Sequence, residues 1–343
     1  MISPQMSSEF EGLLNKIGEI GKEKHSDAIL AAAIRNKPYA QKSLRDLPSL
    51  TGAKAQSCVV ISAGPSVHKK NSIQQLIDSK YEGTTIAVDG AYNACLKLGL
   101  TPDYVITLDP HLTRIVRWFG DPEFEKHSAA DDYFLRQDLD IGLRERLMEQ
   151  NKQHIEAVNR LASKTKVIIA SSAPQNVVSR VQEAGFDAFW WHPLVDDPKA
   201  PDSLTRKLYE IMPLPCLNTG GTVGTAAWVF ASITLKIPKI GIVGMDLGYY
   251  PETPIEKTQT YYELLQYVGS HEGIEKYFLK TKSAFGHEEY FTDPTYRWYF
   301  KNFTELLDKS DRLTYNCTEG GVLTHEKIRC MLLRDFLGET KNG

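Results

Sequence analysis

The chain has 343 residues, 42% hydrophobic and 24% charged, with 40 Lys and Arg against 43 Asp and Glu. That composition excludes a disordered, collagenous or disulfide-scaffold chain and allows a sizeable core. A formal net charge of −3 leaves no basic excess of the kind that would make nucleic acid the main partner.

Residues 7–35 carry Phe10, Leu13, Leu14, Ile17 and Ile20 at helical spacing, then an apolar cluster from Ala28 to Ile34. They predict a helical N-terminal arm that ends at Pro38. The arm is expected to pack on the core or on another subunit, which allows a homo-oligomer. Residues 41–54 are polar and basic with Pro48 and Gly52, and read as a linker or a draped segment. Arm and linker together occupy 1–54. The opening MISPQMSSEFEGLL has no basic stretch followed by an apolar one, so no secretory signal is expected. No apolar run reaches the length of a membrane span; the best is Ala226 to Leu235. The five cysteines are scattered without metal-ligand spacing, and a reducing cytoplasm is the expected location.

From Gln56 the rhythm becomes strand, turn, helix. Strands are predicted at Cys58–Ile61, Thr84–Val88, Tyr104–Leu108, Thr165–Ala170, Asp187–Trp191, Lys239–Val243 and Leu313–Asn316. Helices are predicted at Ser72–Ser79, Ala91–Leu98, Ile141–Ser163, Gln175–Ala184, Ala226–Leu235, Tyr261–Val268, Thr295–Leu307 and Lys327–Leu337. Residues 120–140 read as acidic and irregular, and 194–202 as an acidic loop. Apolar strands alternating with helices imply an α/β domain over 55–337: a Rossmann-like, mostly parallel sheet with helices on both faces. Within it, 249–293 reads as a lid or substrate-side insertion, and 338–343 as a tail.

The candidate site residues come from the strand ends, where open parallel sheets bind ligands. After the first strand come Ser62-Ala63-Gly64-Pro65-Ser66, a small-residue turn. Gly64 would let backbone approach a ligand, and Ser62 and Ser66 bring hydroxyls. The turn is neither GxGxxG nor GxxxxGK[ST]. Asp89, Asp109 and Asp246 each close a strand. Each is suited to orient a ribose, act as a base or hold a cation, and equally suited to cap a turn. No metal-ligand spacing appears, so no metal is assigned. Asn218-Thr219-Gly220-Gly221-Thr222 leads into a helix start, an anion-binding arrangement with Thr222 as N-cap. Tyr249 and Tyr250 are candidates for stacking on a sugar or base, or for plugging a loop. His192 and His325 are candidate bases, with His111 a third; the alternative for His192 is a buried histidine bonded to backbone. Glu319, before Gly320-Gly321, is a candidate site acid or a structural cap.

The runs VVISAGPSV, TIAVDGAYNACLKLGLTPDYVITLDPH, NTGGTVGTAAW, KIGIVGMDLGYY and YNCTEGG resemble the central domain of the motility accessory factor (Maf) proteins. These are bacterial glycosyltransferases that place nonulosonic acids on flagellin. That domain is similar to bacterial sialyltransferases, which use a CMP-activated sugar without a metal. The front half also resembles the 6-hydroxymethylpterin diphosphokinases (MptE-like), which move pyrophosphate from ATP with Mg²⁺. The resemblance spans about Gln56 to Leu337. The late NCTEGG motif, Pro110-His111 after Asp109, and Ser171-Ser172-Ala173-Pro174 in place of an acid-bearing turn favour the glycosyltransferase branch.

The resemblance therefore implies a transferase moving a nonulosonic acid or related sugar from a CMP-type donor to a protein or glycan acceptor, with no firm cofactor. Ser62–Ser66 and Asn218–Thr222 would hold the donor, Asp89, Asp246 and Tyr249 would line it, and Asp109, His192 or His325 would serve catalysis. The alternatives are a Mg²⁺–ATP pyrophosphokinase of the pterin type, sensitive to Asp109→Ala, and a non-catalytic nucleotide-binding or scaffold protein.

Overall fold

The computed structural model describes residues 12–13, 26–113, 115–130, 141–258, 261–286 and 288–341. Its strands are β1 Ser57–Ile61, β2 Thr84–Val88, β3 Tyr104–Thr107, β4 Lys166–Ala170, β5 Asp187–Pro193, β6 Cys216–Leu217, β7 Lys239–Val243, β8 Leu279–Lys282, β9 Glu289–Thr292, β10 Leu313–Asn316 and β11 Ile328–Cys330. Nine of them make one sheet, ordered β11-β10-β7-β1-β2-β3-β4-β5-β6, and β8 and β9 form a separate hairpin. Every pairing in the large sheet is parallel; Val60 of β1, for example, pairs Ile86 on one side and Ile242 on the other.

The strands are continuous apolar runs because both faces of the sheet are covered. Alternate residues feed separate cores. Tyr104 and Ile106, Ile168 and Ala170, Phe189 and Trp191 enter one. Val105, Val167 and Ile169, and Trp190 enter the other. The first is roofed by the helix Val223–Val229, which continues as a π-helical turn Phe230–Thr234. Ala226, Ala227, Phe230 and Ala231 there are fully buried. Each large apolar side chain so buried contributes roughly 1.5–3 kcal/mol. The second core takes Val158, Val177, Val181, Leu204 and Leu208 from the covering helices. Tyr261, Leu264, Ile274 and Phe278 of the 249–293 insertion form a small third core with Leu13 of the arm.

Several expectations change. Residues 327–337 were expected as one helix; Ile328–Cys330 instead pairs in parallel with Thr314–Asn316, and the helix is Leu333–Lys341. An open strand edge at β10 offers these residues ladder hydrogen bonds that their own helical spacing cannot match. The tail expected from 338 is part of that helix as far as Lys341. Within 120–140, Phe124–Ala130 is helical, and 131–140 lie outside the described residues. The helix Leu204–Ile211, N-capped by Ser203, was not anticipated. Among the described residues no helix is long and apolar enough to cross a membrane.

The predicted arm is helical over 26–36; residues 1–11 and 14–25 lie outside the described residues. Residues 41–54 are draped rather than loose, since the Trp190 N–H donates to the Lys42 carbonyl at 2.9 Å. The arm is tied down by Asn36, which is fully buried. Its Nδ2 donates to the carbonyls of Ser171 (3.0 Å) and Ala173 (2.8 Å). Asn36→Ala would take this donor from the Ser171 carbonyl, while the Ala173 carbonyl keeps the Arg35 guanidinium at 2.8 Å. A loss of about 1–3 kcal/mol in urea unfolding is expected.

Candidate functional site

In an open parallel sheet, a crevice forms where neighbouring strands send their connections opposite ways. Here that point lies between β1 and β7. Chain order runs from β1 outward through β2 and β3, while β7 lies on the other flank. The turn after β1 and the loop after β7 meet at the mouth of the crevice. The Ser62 N–H donates to the Val243 carbonyl and the Gly64 N–H to the Gly244 carbonyl, each at 2.9 Å.

Asp246 is the centre of this junction. Ser66 donates to its Oδ2 from Oγ at 2.7 Å and from the backbone at 3.4 Å. A Cβ on Gly64 would strike Asp246 Oδ2 and the Gly244 carbonyl, and one on Gly321 would strike the Asp246 backbone. The Val322 N–H donates to the Asp246 carbonyl at 2.8 Å. So the turns after β1, β7 and β10 close on one aspartate. Gly64 was expected to admit a ligand; what it admits is Asp246, and the paired glycines after Glu319 serve the same contact. Burial pushes the Asp246 carboxyl up to about 6. Its Oδ1, and the Oγ of Ser62, are buried without a hydrogen-bond partner among the described residues. Both residues line the cleft. Buried polar atoms left unpaired are costly, which makes these two candidate ligand contacts.

A second wall comes from the ends of β2 and β3. Asp89 opens the helix Asp89–Leu98 and is 5% exposed. Its Oδ2 accepts from Thr107 Oγ1 at 2.8 Å and its Oδ1 from the Gly90 N–H at 2.6 Å. Desolvation, helped by the nearby Asp109 charge and opposed by these bonds and Arg117, pushes its carboxyl up to about 7. Asp109 lies farther out, accepting from the His111 N–H at 2.8 Å as a turn cap does. Asp109, His111 and Arg117 all line the cleft.

The third wall is 218–224. Asn218 Oδ1 accepts from the Gly220 N–H (3.0 Å) and Thr219 Oγ1 from the Gly221 N–H (3.3 Å). Thr222 caps the helix as predicted, accepting from the Thr225 N–H at 3.0 Å. The two glycine N–H groups are thus occupied in shaping the turn. The helix-start N–H groups of Val223 and Gly224 have no place in the helix's own ladder, and both residues line the cleft. Gly220 and Gly221 adopt φ of +54° and +89°, a region that favours glycine.

The structure brings Ser62, Gly64, Pro65, Asp89, Asp109, Asn218, Thr219, Gly220, Gly221, Thr222, Asp246 and Tyr249 to one cleft, with Ser66 behind them on Asp246. It does not bring the two histidine bases. His192 is fully buried in β5, with Nδ1 on Ser171 Oγ at 2.7 Å and Nε2 on the Met212 carbonyl at 2.8 Å. Desolvation pushes its pKa down, as for a neutral core histidine. His325 precedes β11 and lies 3.5 Å from Asp308 at the end of the helix feeding β10. Both lead into strands, which places it at the amino edge of the sheet, away from the cleft. Glu319 is a cap: its Oε1 accepts from the Leu333 N–H at 2.9 Å. Tyr249 lines the cleft, but its ring stacks on Phe291 and Tyr296 and its hydroxyl donates to Asp293, as a loop plug would.

The cleft also includes His68, Arg117, Trp298 and Tyr299, which strand-end reasoning passed over. His68 follows the first turn by two residues, and that proximity was the available signal. The cleft volume, about 2530 Å³, exceeds the roughly 300–1,000 Å³ of an ordinary ligand pocket.

Residues 32–119, from the arm through β1, β2 and β3, match the family described as 6-hydroxymethylpterin diphosphokinase MptE-like. Among solved structures the chain is similar to the Maf glycosyltransferase from Magnetospirillum magneticum AMB-1, with a TM-score of 0.56 and 13% identity. The match covers 92% of this chain and 41% of that protein, so the chain spans about two fifths of its length. No curated protein matches the sequence. The family match supports the MptE-like resemblance over residues 32–119, and the structural likeness shows the α/β fold of that Maf structure.

Proposed function

We propose that the chain is a glycosyltransferase of the cytoplasm that moves a nonulosonic acid or related sugar from a CMP-type donor to a protein or glycan acceptor. The observation that carries this reading is the crevice between β1 and β7, with Ser62 Oγ and Asp246 Oδ1 buried and unpartnered at its mouth. The fold similarity over nearly the whole chain supports it, and five unpaired cysteines suit a reducing compartment. The N–H groups of Val223 and Gly224 would take the donor phosphate. Asp246 Oδ1 and Ser62 Oγ would bond the nucleoside. Asp89 would act as the base. It would accept the proton of the acceptor hydroxyl as that oxygen bonds the anomeric carbon, while the bond from that carbon to the donor phosphate oxygen breaks and CMP leaves.

A second reading, Mg²⁺–ATP pyrophosphoryl transfer, is favoured by the family match over 32–119. The residues present do not fit a protein-built cation cage. Among the described residues no three His, Cys, Asp or Glu side chains gather to hold an ion. Calorimetry with a nucleotide panel separates the readings. The expected result is binding of CMP and CMP-sugars without divalent metal. Binding of ATP only with Mg²⁺, and none of CMP, would replace this reading with the second.

A further inference from the structure

One side of the cleft is formed by the helix Pro294–Asp308. Thr295, Trp298, Tyr299 and Asn302 recur on it at i, i+3, i+4 and i+7, so they share a face. All four line the cleft and are partly exposed. Away from this stripe, Phe303 and Leu307 are buried in the main core, and Asp293 caps the helix start by accepting from the Tyr296 N–H at 2.8 Å. The rings are seated from below as well. A Cβ on Gly221 would run into Trp298 and the edge of Tyr299, so the glycine turn is cut back to receive them. The Trp298 and Tyr299 ring centroids are 5.6 Å apart at 57°, a bent aromatic wall rather than a mutual stack.

The stripe has two aromatic rings flanked by a hydroxyl and a carboxamide, and no charge. The charged residues of the same stretch, Arg297 and Lys301, are absent from the cleft lining. A wall of this kind brings no cation to neutralise a phosphate or carboxylate. It suits a neutral polyol ring, whose C–H face lies on an aromatic face while its hydroxyls bond to amide and hydroxyl groups. We infer that this stripe is a saccharide-binding subsite and that the acceptor is a glycan rather than a bare peptide. Only the word acceptor rests on the glycosyltransferase reading; the saccharide subsite stands on the stripe itself.

The labelled full chain, applied to an array of neutral oligosaccharides and unglycosylated peptides, tests this, with CMP binding measured alongside by calorimetry. The wild type should bind one or more saccharides. Trp298→Ala should weaken that binding about tenfold or more, with Trp298→Phe retaining most of it. Asn302→Ala, beyond the two rings that meet Gly221, should weaken saccharide binding and leave CMP binding unchanged. Saccharide binding that depends on Trp298 and Asn302 in a chain that fails to bind CMP would uphold the subsite while overturning the donor reading. Binding to peptides alone, no saccharide bound, or saccharide binding indifferent to both Trp298→Ala and Asn302→Ala would overturn the inference.

Discussion

Asp89→Asn should lower the release of CMP from a CMP-sugar by about 10²–10⁴-fold while making the protein more stable above neutral pH. Both effects have one cause. Burial holds the folded carboxyl at about 7, against about 4 in the unfolded chain. A base in this position works only when deprotonated, so wild-type activity should rise with pH through about 7. Stability runs the other way. Between pH 4 and 7 the native state keeps a proton that the unfolded chain has lost, so stability falls as pH rises across that window. Asparagine removes this cost. Its gain should be absent at pH 4 and complete above pH 7, on the order of 1–4 kcal/mol. The lower end is expected because the amide accepts from only one of Thr107 and Gly90. Melting curves at pH 4 and pH 8, beside an activity profile, read both halves. An Asp89→Asn protein that turns over normally would remove Asp89 from the chemistry.

Gly64→Ala should cost about 3 kcal/mol and abolish nucleotide binding. The added methyl has nowhere to go. It meets the Asp246 carboxylate and the Gly244 carbonyl, neither of which is the free end of a flexible side chain. Moving Asp246 breaks its bonds to Ser66 and disturbs the seat of Gly321 at once. Gly99→Ala is the contrast. Gly99 has φ +94° and nothing within reach of a Cβ, so only backbone strain of about 1–2 kcal/mol is expected there. Urea unfolding of the two variants, with CMP titration of each, checks the difference. Equal losses in both would show that the β1–β7 junction is not the tight contact described.

The long strands were legible because burial on both faces writes them as uninterrupted apolar runs; β2 and β7 occupy the predicted residues. β6, with two residues, and β8, polar and half-exposed, leave no such trace. β11 depends on an edge partner 14 residues away at Thr314, which local spacing does not report. The strand-end aspartates were visible as residues, but their different roles were not. Asp109 at a turn, Asp89 in a desolvated pair with Thr107, and Asp246 under three glycine-bearing turns look alike as letters. The histidines misled for a related reason. In FDAFWWHP the strand runs on to Pro193, so His192 falls within the alternation that buries Trp190 and Trp191, not after it. The Thr295–Asn302 stripe was readable as helical spacing, yet its exposure toward the cleft follows only from the Gly221 turn beneath it.

A crystal structure of the chain soaked with CMP would locate the nucleotide relative to the β1–β7 crevice. Nucleotide is expected between the turns 62–66, 218–224 and 244–250, with Asp246 Oδ1 and Ser62 Oγ within hydrogen-bond distance of it and the phosphate at Val223 and Gly224. Nucleotide bound elsewhere on the chain, with Asp246 Oδ1 still unpaired, would contradict this placement.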